Sequence, residues 1–468
     1  MRYRIAVALL FRISAGSAQE IPQELLPGAN AVILKEETVV TVEKLNRMNT
    51  RKYLRVAVLN QQGEEAFGTY SAYYNAFKKV KKIEAAAYSL SGDLLLKSKN
   101  SDIRDVALNP FDKGATDVRA KIILLDRRQL TFPYILEFRL EEESNETFFY
   151  EDWVPVRALH TAVVNSSYQV RTRAGIEYRW RAVQFDQPSV TTLKDGWKTE
   201  TWTLEKFPPV SSERYLPPNS IPRVIIEPVQ FQIDKYSGTI SSWDDIGNFY
   251  RQLNRGRDVL PQFIKEKLKE VVGTETDTIQ KAHLVYRFMQ NHTRYFNVSF
   301  RLGGWQSLPA AQVAEKGYGD CKALTNYTLA LLEEAGVKAY PALVNSGVQL
   351  WETEVEDFPS NAFDHIIACI PMARDTVWLE CTSQTAPFGY LGSFTGNRKA
   401  LLITEGSSQL VTTRTYVPEE NSLASAVQVR LKGDGSSEIS YQSLYTGIQQ
   451  EEIYGLAWGK DRELQKSG

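Results

Sequence analysis

Apolar and polar positions follow two different rhythms along this chain, and the change of rhythm divides it. From Asn30 to about Gln230 the pattern is short runs: Ala31-Val32-Ile33-Leu34, Thr38-Val39-Val40-Thr41-Val42, Tyr53 to Leu59, Ile122 to Leu125, Tyr134 to Phe138, Gln169 to Arg171 and Glu200 to Leu204. They are apolar or alternate every second residue, and turn residues such as Gln62-Gly63-Glu64 and Ser91-Gly92-Asp93 separate them, which is how strands read. Many short strands so spaced predict a large all-β antiparallel sandwich. Pro208, Pro209, Pro217, Pro218, Pro222 and Pro228 then crowd one stretch. Proline at that density blocks regular pairing and predicts a domain junction.

Beyond the prolines the apolar positions recur every three or four residues. Ser242 caps a helix with Asp244 and Asp245 in its first turn, a second helix covers about Pro261 to Val272, and a third runs from Asp277 to about Gln290. A glycine turn, Lys316-Gly317-Tyr318-Gly319-Asp320, leads into a fourth helix that starts at Cys321 and carries the stripe Ala323, Leu324, Tyr327, Ala330, Leu331 and Ala335 up to Gly336. The periodicity then returns to strands at Asn361–Ile370 and Val377–Thr382, joined by a link short enough for a hairpin loop. A last alternating pair, Val427–Leu431 and Glu438–Tyr441, flanks Gly433-Asp434-Gly435. Two strands cannot make a core of their own, so this hairpin is expected to dock or to belong to a larger β-domain.

The chemistry gathers where the glycine turn meets its helix. A thiol in the first helical turn feels the positive end of the helix dipole, which favours the thiolate, and Asp320 is placed to cap the same turn. Only four histidines are available, His160, His283, His292 and His365. His365 lies on the first of the two paired strands. A turn centred between Met372 and Ala373 sets it directly opposite Glu380, close enough for the carboxylate to orient its ring, whereas Asp364 points to the opposite face. Cysteine at a helix start, then histidine and acid on paired strands, is the order of a Cys-His-acid acyl-transfer site. Gly303-Gly304-Trp305-Gln306 precedes it, and Trp305 and Gln306 are candidates, with the Cys321 backbone N–H, to donate to an oxyanion.

Tyr318-Gly319-Asp320-Cys321-Lys322, Phe363-Asp364-His365 and Trp378-Leu379-Glu380-Cys381-Thr382 resemble, in this order, the core of the transglutaminase-like superfamily. The resemblance spans roughly residues 240 to 405. It implies an α+β, papain-like cysteine protease fold with Cys321 as nucleophile, His365 as general base and Glu380 as third member, where most of the superfamily has aspartate. It implies no cofactor and no metal. The strand-rich region before it resembles the uncharacterised β-domain that precedes such domains in many bacterial secreted proteins, and this part carries no site residues. The aromatic residues Trp153, Trp180, Trp197 and Trp202 there are expected to pack rather than to line a glycan groove.

The remaining features set the context. A chain of 468 residues is too long for one core. Net charge of −1 with no basic block argues against nucleic acid as the main partner. Met1-Arg2-Tyr3-Arg4, an apolar run to Phe11 and small residues up to Ala18 match an export signal, and no later stretch is apolar enough to span a membrane. The three cysteines, Cys321, Cys369 and Cys381, are too few and too odd in number for a disulfide framework. The expected organisation is therefore a signal peptide over 1–18, a β-sandwich over 19–230, a transglutaminase-like domain over 231–405 and a C-terminal β segment over 406–468. The expected activity is thiol-dependent cleavage or transfer of a peptide or amide acyl group, on a protein, peptide, cell-wall peptide or glycan partner, in the periplasm or at the cell surface. The alternative is a scaffold of the same fold that binds without catalysis.

Overall fold

The computed structural model describes residues 21–108, 114–213, 220–346, 356–372 and 376–453, so the expected export segment lies outside the described residues. The chain divides into two compact units, one of residues up to 108 with 117–237 and one of 109–116 with 238–468.

The first unit is built on an eight-stranded sheet. Its strands are β1 (Ala31–Lys44), β2 (Arg47–Val58), β3 (Lys78–Tyr88), β4 (Leu94–Lys97), β5 (Tyr134–Ser144), β6 (Thr161–Arg173), β7 (Val190–Lys194) and β8 (Trp197–Phe207), in the order β7-β8-β6-β1-β2-β5-β3-β4. The alternation in β1 does what it predicts, since Thr38, Val40 and Val42 are buried while Val39 and Thr41 between them are half-buried. The expectation of an antiparallel sandwich needs correction. Beside the large sheet the described residues of this unit form only two- and three-stranded ones, and β1 pairs with β6 in parallel, Ala31 beside Thr161 through Val42 beside Thr172. The chain between them, residues 45–160, is long enough for the crossover that a parallel pair requires, and period-two patterning is blind to strand direction.

The proline-rich stretch is not the junction either. Arg223–Pro228 is a fully buried strand paired with Tyr178–Val183, so Pro222 and Pro228 bracket core structure of the first unit and the division falls after Ser237. Trp153 and Trp202 are buried, and the Trp153 indole donates to Ser166 Oγ at 3.0 Å, which makes both of them packing residues.

In the second unit the helices start where their caps predict. α1 (Trp243–Asn254) has Ser242 and Asp245 in a reciprocal capping box, α2 (Gln262–Val272) follows Pro261, and α3 (Thr278–His292) is capped by Asp277, whose carboxylate accepts from the Gln280 amide. α4 (Ala310–Lys316) precedes the glycine turn and α5 (Cys321–Glu334) follows it. Five antiparallel strands, β9 (Tyr340–Val344), β10 (His365–Pro371), β11 (Thr376–Leu379), β12 (Lys399–Ile403) and β13 (Ser408–Thr412), form a sheet in the order β11-β10-β9-β12-β13. β13 lies past the expected boundary at 405, so the sheet of this unit reaches Thr412. One core joins α2 to α5 to one face of this sheet, with Ala282, Tyr286, Leu324, Tyr327, Leu331, Ala368, Ile370 and Leu379 at its centre. Cys369 and Trp378 pack in a separate cluster with Ile367. The last two strands, β14 (Leu423–Leu431) and β15 (Ser437–Tyr445), pair as the expected hairpin, with Val427, Val429, Ile439 and Tyr441 exposed.

Candidate active site

The glycine turn presents the thiol by two separate devices. Gly317 has φ of +65°, a left-handed conformation that also closes α4. Gly319 is not left-handed; a side chain there would place its Cβ 2.7 Å from that of Ala323, so it permits close approach to the first turn of α5. Asp320 then caps the helix through a 2.9 Å bond from the Ala323 amide to Oδ1. Cys321 is the first helical residue, buried, and at the wall of a small pocket shared with Tyr250, Gly304, Trp305, Lys322, Leu343, Phe363 and His365.

His365 opens β10, and Thr325 of α5 donates to the neighbouring carbonyl of Ile366 at 3.2 Å, which ties the cysteine helix to the histidine strand. Its Nε2 sits 3.2 and 3.0 Å from the two carboxylate oxygens of Glu380, and it borders the same pocket as Cys321, near enough for the sulfur to act on its pKa. Nε2 being committed to the carboxylate, Nδ1 is the nitrogen left for the sulfur. Burial by itself would lower the histidine pKa. The hydrogen bonds and negative charge of Cys321 and Glu380 more than offset this and hold it well above its ordinary value. Burial would likewise raise Glu380, but His365 and two bonds from Thr382, from the amide at 3.1 Å and the hydroxyl at 2.5 Å, keep it below the usual carboxylate range.

The strand register differs from the expected one. The ladder sets Ala368 opposite Leu379 and Pro371 opposite Thr376, so its extension faces Glu380 with Ile367 and not with His365. The displacement is two residues, and a slip of two leaves every side chain on its original face. Glu380 therefore meets His365 on the diagonal, where neighbours are farther apart than in a direct pair and the extra methylene of glutamate supplies reach. Asp364 also borders the pocket, but its carboxylate accepts from the Ser346 amide at 2.7 Å.

The upstream candidates part company. Trp305 lines the pocket with Cys321. Gln306 is not among the residues that line the pocket, and its Nε2 donates to the Leu253 carbonyl at 2.8 Å, one of the last acceptors of α1. Cys369 and Cys381 are free thiols in different core clusters, which excludes a bridge between them here, and burial pushes both up to about 12.

Several supporting residues escape sequence reasoning. Tyr250 of α1 reaches the same pocket, and Phe394 lies with its ring centroid 4.9 Å from that of His365. Tyr286 donates to the Glu380 carbonyl at 2.8 Å, and Gln290 donates to the carbonyls of Ser383 and Ala386 at 3.0 and 2.9 Å. α3 thus holds the loop that carries the acid. The sequence marks this stretch as a helix ending at about Gln290 and carries no signal for the loop it faces. Among the described residues no group of three His, Cys, Asp or Glu side chains could hold a metal ion, and no helix is long and apolar enough to cross a membrane.

Residues 46–211 match the profile of a domain of unknown function with solved structures, DUF3857. A crystal structure from Parabacteroides distasonis, described as that of a "putative protease", superposes with a TM-score of 0.63 at 13% identity, covering 86% of this chain and 78% of the other. That likeness extends through both units and is one of fold. An M1 zinc metallopeptidase from Deinococcus radiodurans gives a TM-score of only 0.23 at 11% identity over 52% of this chain and 54% of the other, too low to support any argument. No curated protein matches the sequence.

Proposed function

We propose that the second unit is a thiol-dependent acyl-transfer enzyme that cleaves a peptide or amide bond through Cys321, His365 and Glu380. The single observation that carries this reading is the seating of one imidazole between a helix-start thiol and a buried carboxylate, at the wall of a pocket. The order of these residues along the chain, which resembles the transglutaminase-like superfamily, supports it independently. So does the fold shared with a protein described as a putative protease, which makes peptide cleavage the first reaction to test.

In the proposed cycle the Cys321 thiolate attacks the carbonyl carbon and forms the C–S bond while the carbonyl electrons move to oxygen. The first-turn backbone N–H of α5 and the Trp305 side chain are the proposed donors to that oxygen. The oxyanion collapses, the C–N bond breaks, and the His365 imidazolium protonates the leaving amine. Water then gives a proton to neutral His365 and attacks the thioester, and the sulfur departs as thiolate. An amine in place of water would give transfer, and hydrolysis is proposed because water is always at hand. The basic, apolar and small-residue segment at the amino end supports export to the periplasm or cell surface, which cell fractionation tests.

The experiment is competitive labelling of the full chain with a cysteine-directed electrophile, mapped by mass spectrometry across pH. Cys321 is expected to label much faster than Cys369 and Cys381, to keep its reactivity below the pH of an ordinary thiol, and to lose it in His365→Ala. Equal labelling with an ordinary thiol titration would sink the enzymatic reading and leave a scaffold.

A further inference from the structure

We infer that Lys322 is a second cationic partner of the Cys321 sulfur, held in place by Asp320, so that the thiolate is stabilised from two sides; this rests on Cys321 being the nucleophile proposed above. Consecutive helical residues do not ordinarily face each other, yet Cys321 and Lys322 line the same pocket. The Lys322 Nζ lies 3.9 Å from Cys321 Sγ and 2.7 Å from Asp320 Oδ2. Lysine is among the residues least often buried, and a buried ammonium is tolerated only when paired. Here it is 8% exposed, on the buried first turn of α5.

Asp320 performs two tasks with its two oxygens. Oδ1 accepts the Ala323 amide and fixes the start of the helix, while Oδ2 fixes the ammonium. The lysine is therefore anchored to the same turn that carries the sulfur, and its position does not depend on His365, which arrives from β10. The charge balance gives this arrangement its purpose. With the thiolate formed, the cluster holds three anions, Cys321, Asp320 and Glu380, against His365 and Lys322. Without the ammonium a single imidazolium would face three negative charges, and ionisation of the sulfur would be opposed. Burial alone would lower the Lys322 pKa, but the charges of Cys321 and Asp320 raise it, so it stays cationic where it is needed.

The expected behaviour separates Lys322 from a residue that merely neutralises Asp320. Iodoacetamide alkylation of Cys321 is followed by mass spectrometry against pH in the full chain, with near-ultraviolet circular dichroism to establish folding. Lys322→Met should slow alkylation below neutral pH by roughly tenfold and move its midpoint upward by about one unit, the order expected for one nearby charge. Lys322→Arg, which keeps the charge, should restore most of the rate. The double variant D320N/K322M removes the carboxylate with the ammonium and restores the net charge of the cluster, so only loss of the direct Nζ–Sγ contact can keep it shifted, by less than Lys322→Met alone. A Lys322→Met profile that overlays the wild type, or a double variant that returns to it, overturns the inference while leaving the proposed function intact. A wild-type Cys321 that titrates as an ordinary thiol overturns both.

Discussion

Each unit buries a carboxylate among hydrogen-bond donors, and the two sites end differently. In the first unit Glu36, on β1, takes Arg157 Nε at 2.6 Å on one oxygen and Ser166 Oγ at 2.5 Å on the other, and Ser166 in turn receives the Trp153 indole. These bonds run to a guanidinium, a hydroxyl and an indole, and none of them leads to a thiol or an imidazole. In the second unit Glu380 is satisfied just as fully by Thr382 and His365. There the donor is an imidazole with a second nitrogen, and that nitrogen leads to a sulfur at a pocket wall. A buried charge is thus not evidence of a site; what matters is whether its chain of partners stops at packing or at a nucleophile.

The comparison breaks most decisively at the sulfur. Cys321→Ala should abolish amide cleavage, a fall of about three orders of magnitude or more, with little change in melting temperature. Turnover that survives in Cys321→Ala would put the chemistry elsewhere. In the first unit the reverse pattern is expected. Glu36→Ala leaves Arg157 and Ser166 without their shared acceptor, and should cost about 2 kcal/mol after allowance for the partial exposure of the arginine. Chemical denaturation measures that loss, and the electrophile reactivity of Cys321 should be unaltered below the new melting point.

The acid sharpens the comparison further. If Glu380 reaches His365 on the diagonal, Glu380→Asp should fall short and lower kcat by about tenfold or more, although aspartate is the usual residue in the superfamily this site resembles. Glu380→Gln tests charge instead of reach. The His365 pKa is raised in the folded protein, so the imidazolium is present below that value and is lost as pH rises through it. Removing the carboxylate's negative charge lowers the value, and the basic limb of the kcat/KM profile should move to lower pH. A limb that stays in place would mean that His365 owes its charge to Cys321 alone.

The order of the site residues was legible because each sits on an element with strong local signals: the Asp320 cap, the Gly336 stop, the apolar run of β10. Helix starts at Ser242, Pro261 and Asp277 were legible for the same reason. What the sequence could not supply depends on contacts between elements. Register across the β10–β11 link was off by two residues because nothing in the apolar pattern distinguishes displacements that preserve the face. The parallel pairing of β1 with β6 and the burial of Arg223–Pro228 were hidden likewise, since patterning reports which face is apolar and not which strand lies alongside. Tyr250, Phe394 and the clamp from Tyr286 and Gln290 come to the site from helix and loop positions whose spacing marks them only as packing.

The smallest expected effect belongs to Gln306, and it tests whether a hydrogen bond of the Glu36 kind, closed on structure, has been mistaken for one that acts on substrate. Its side-chain amide is held by the Leu253 carbonyl, while the Ser307 amide donates to Asn254 Oδ1 at 2.8 Å, so two successive residues latch this turn to the end of α1. Gln306→Ala removes one of the two latches. It should cost about 1 kcal/mol of stability, the net worth of one such bond, and leave kcat within about threefold of wild type, measured well below the melting temperature. A fall of a hundredfold in kcat with an unchanged melting point would mean that the amide leaves Leu253 in the reacting state and donates to the oxyanion, which would move Gln306 from the closed kind of network to the open one.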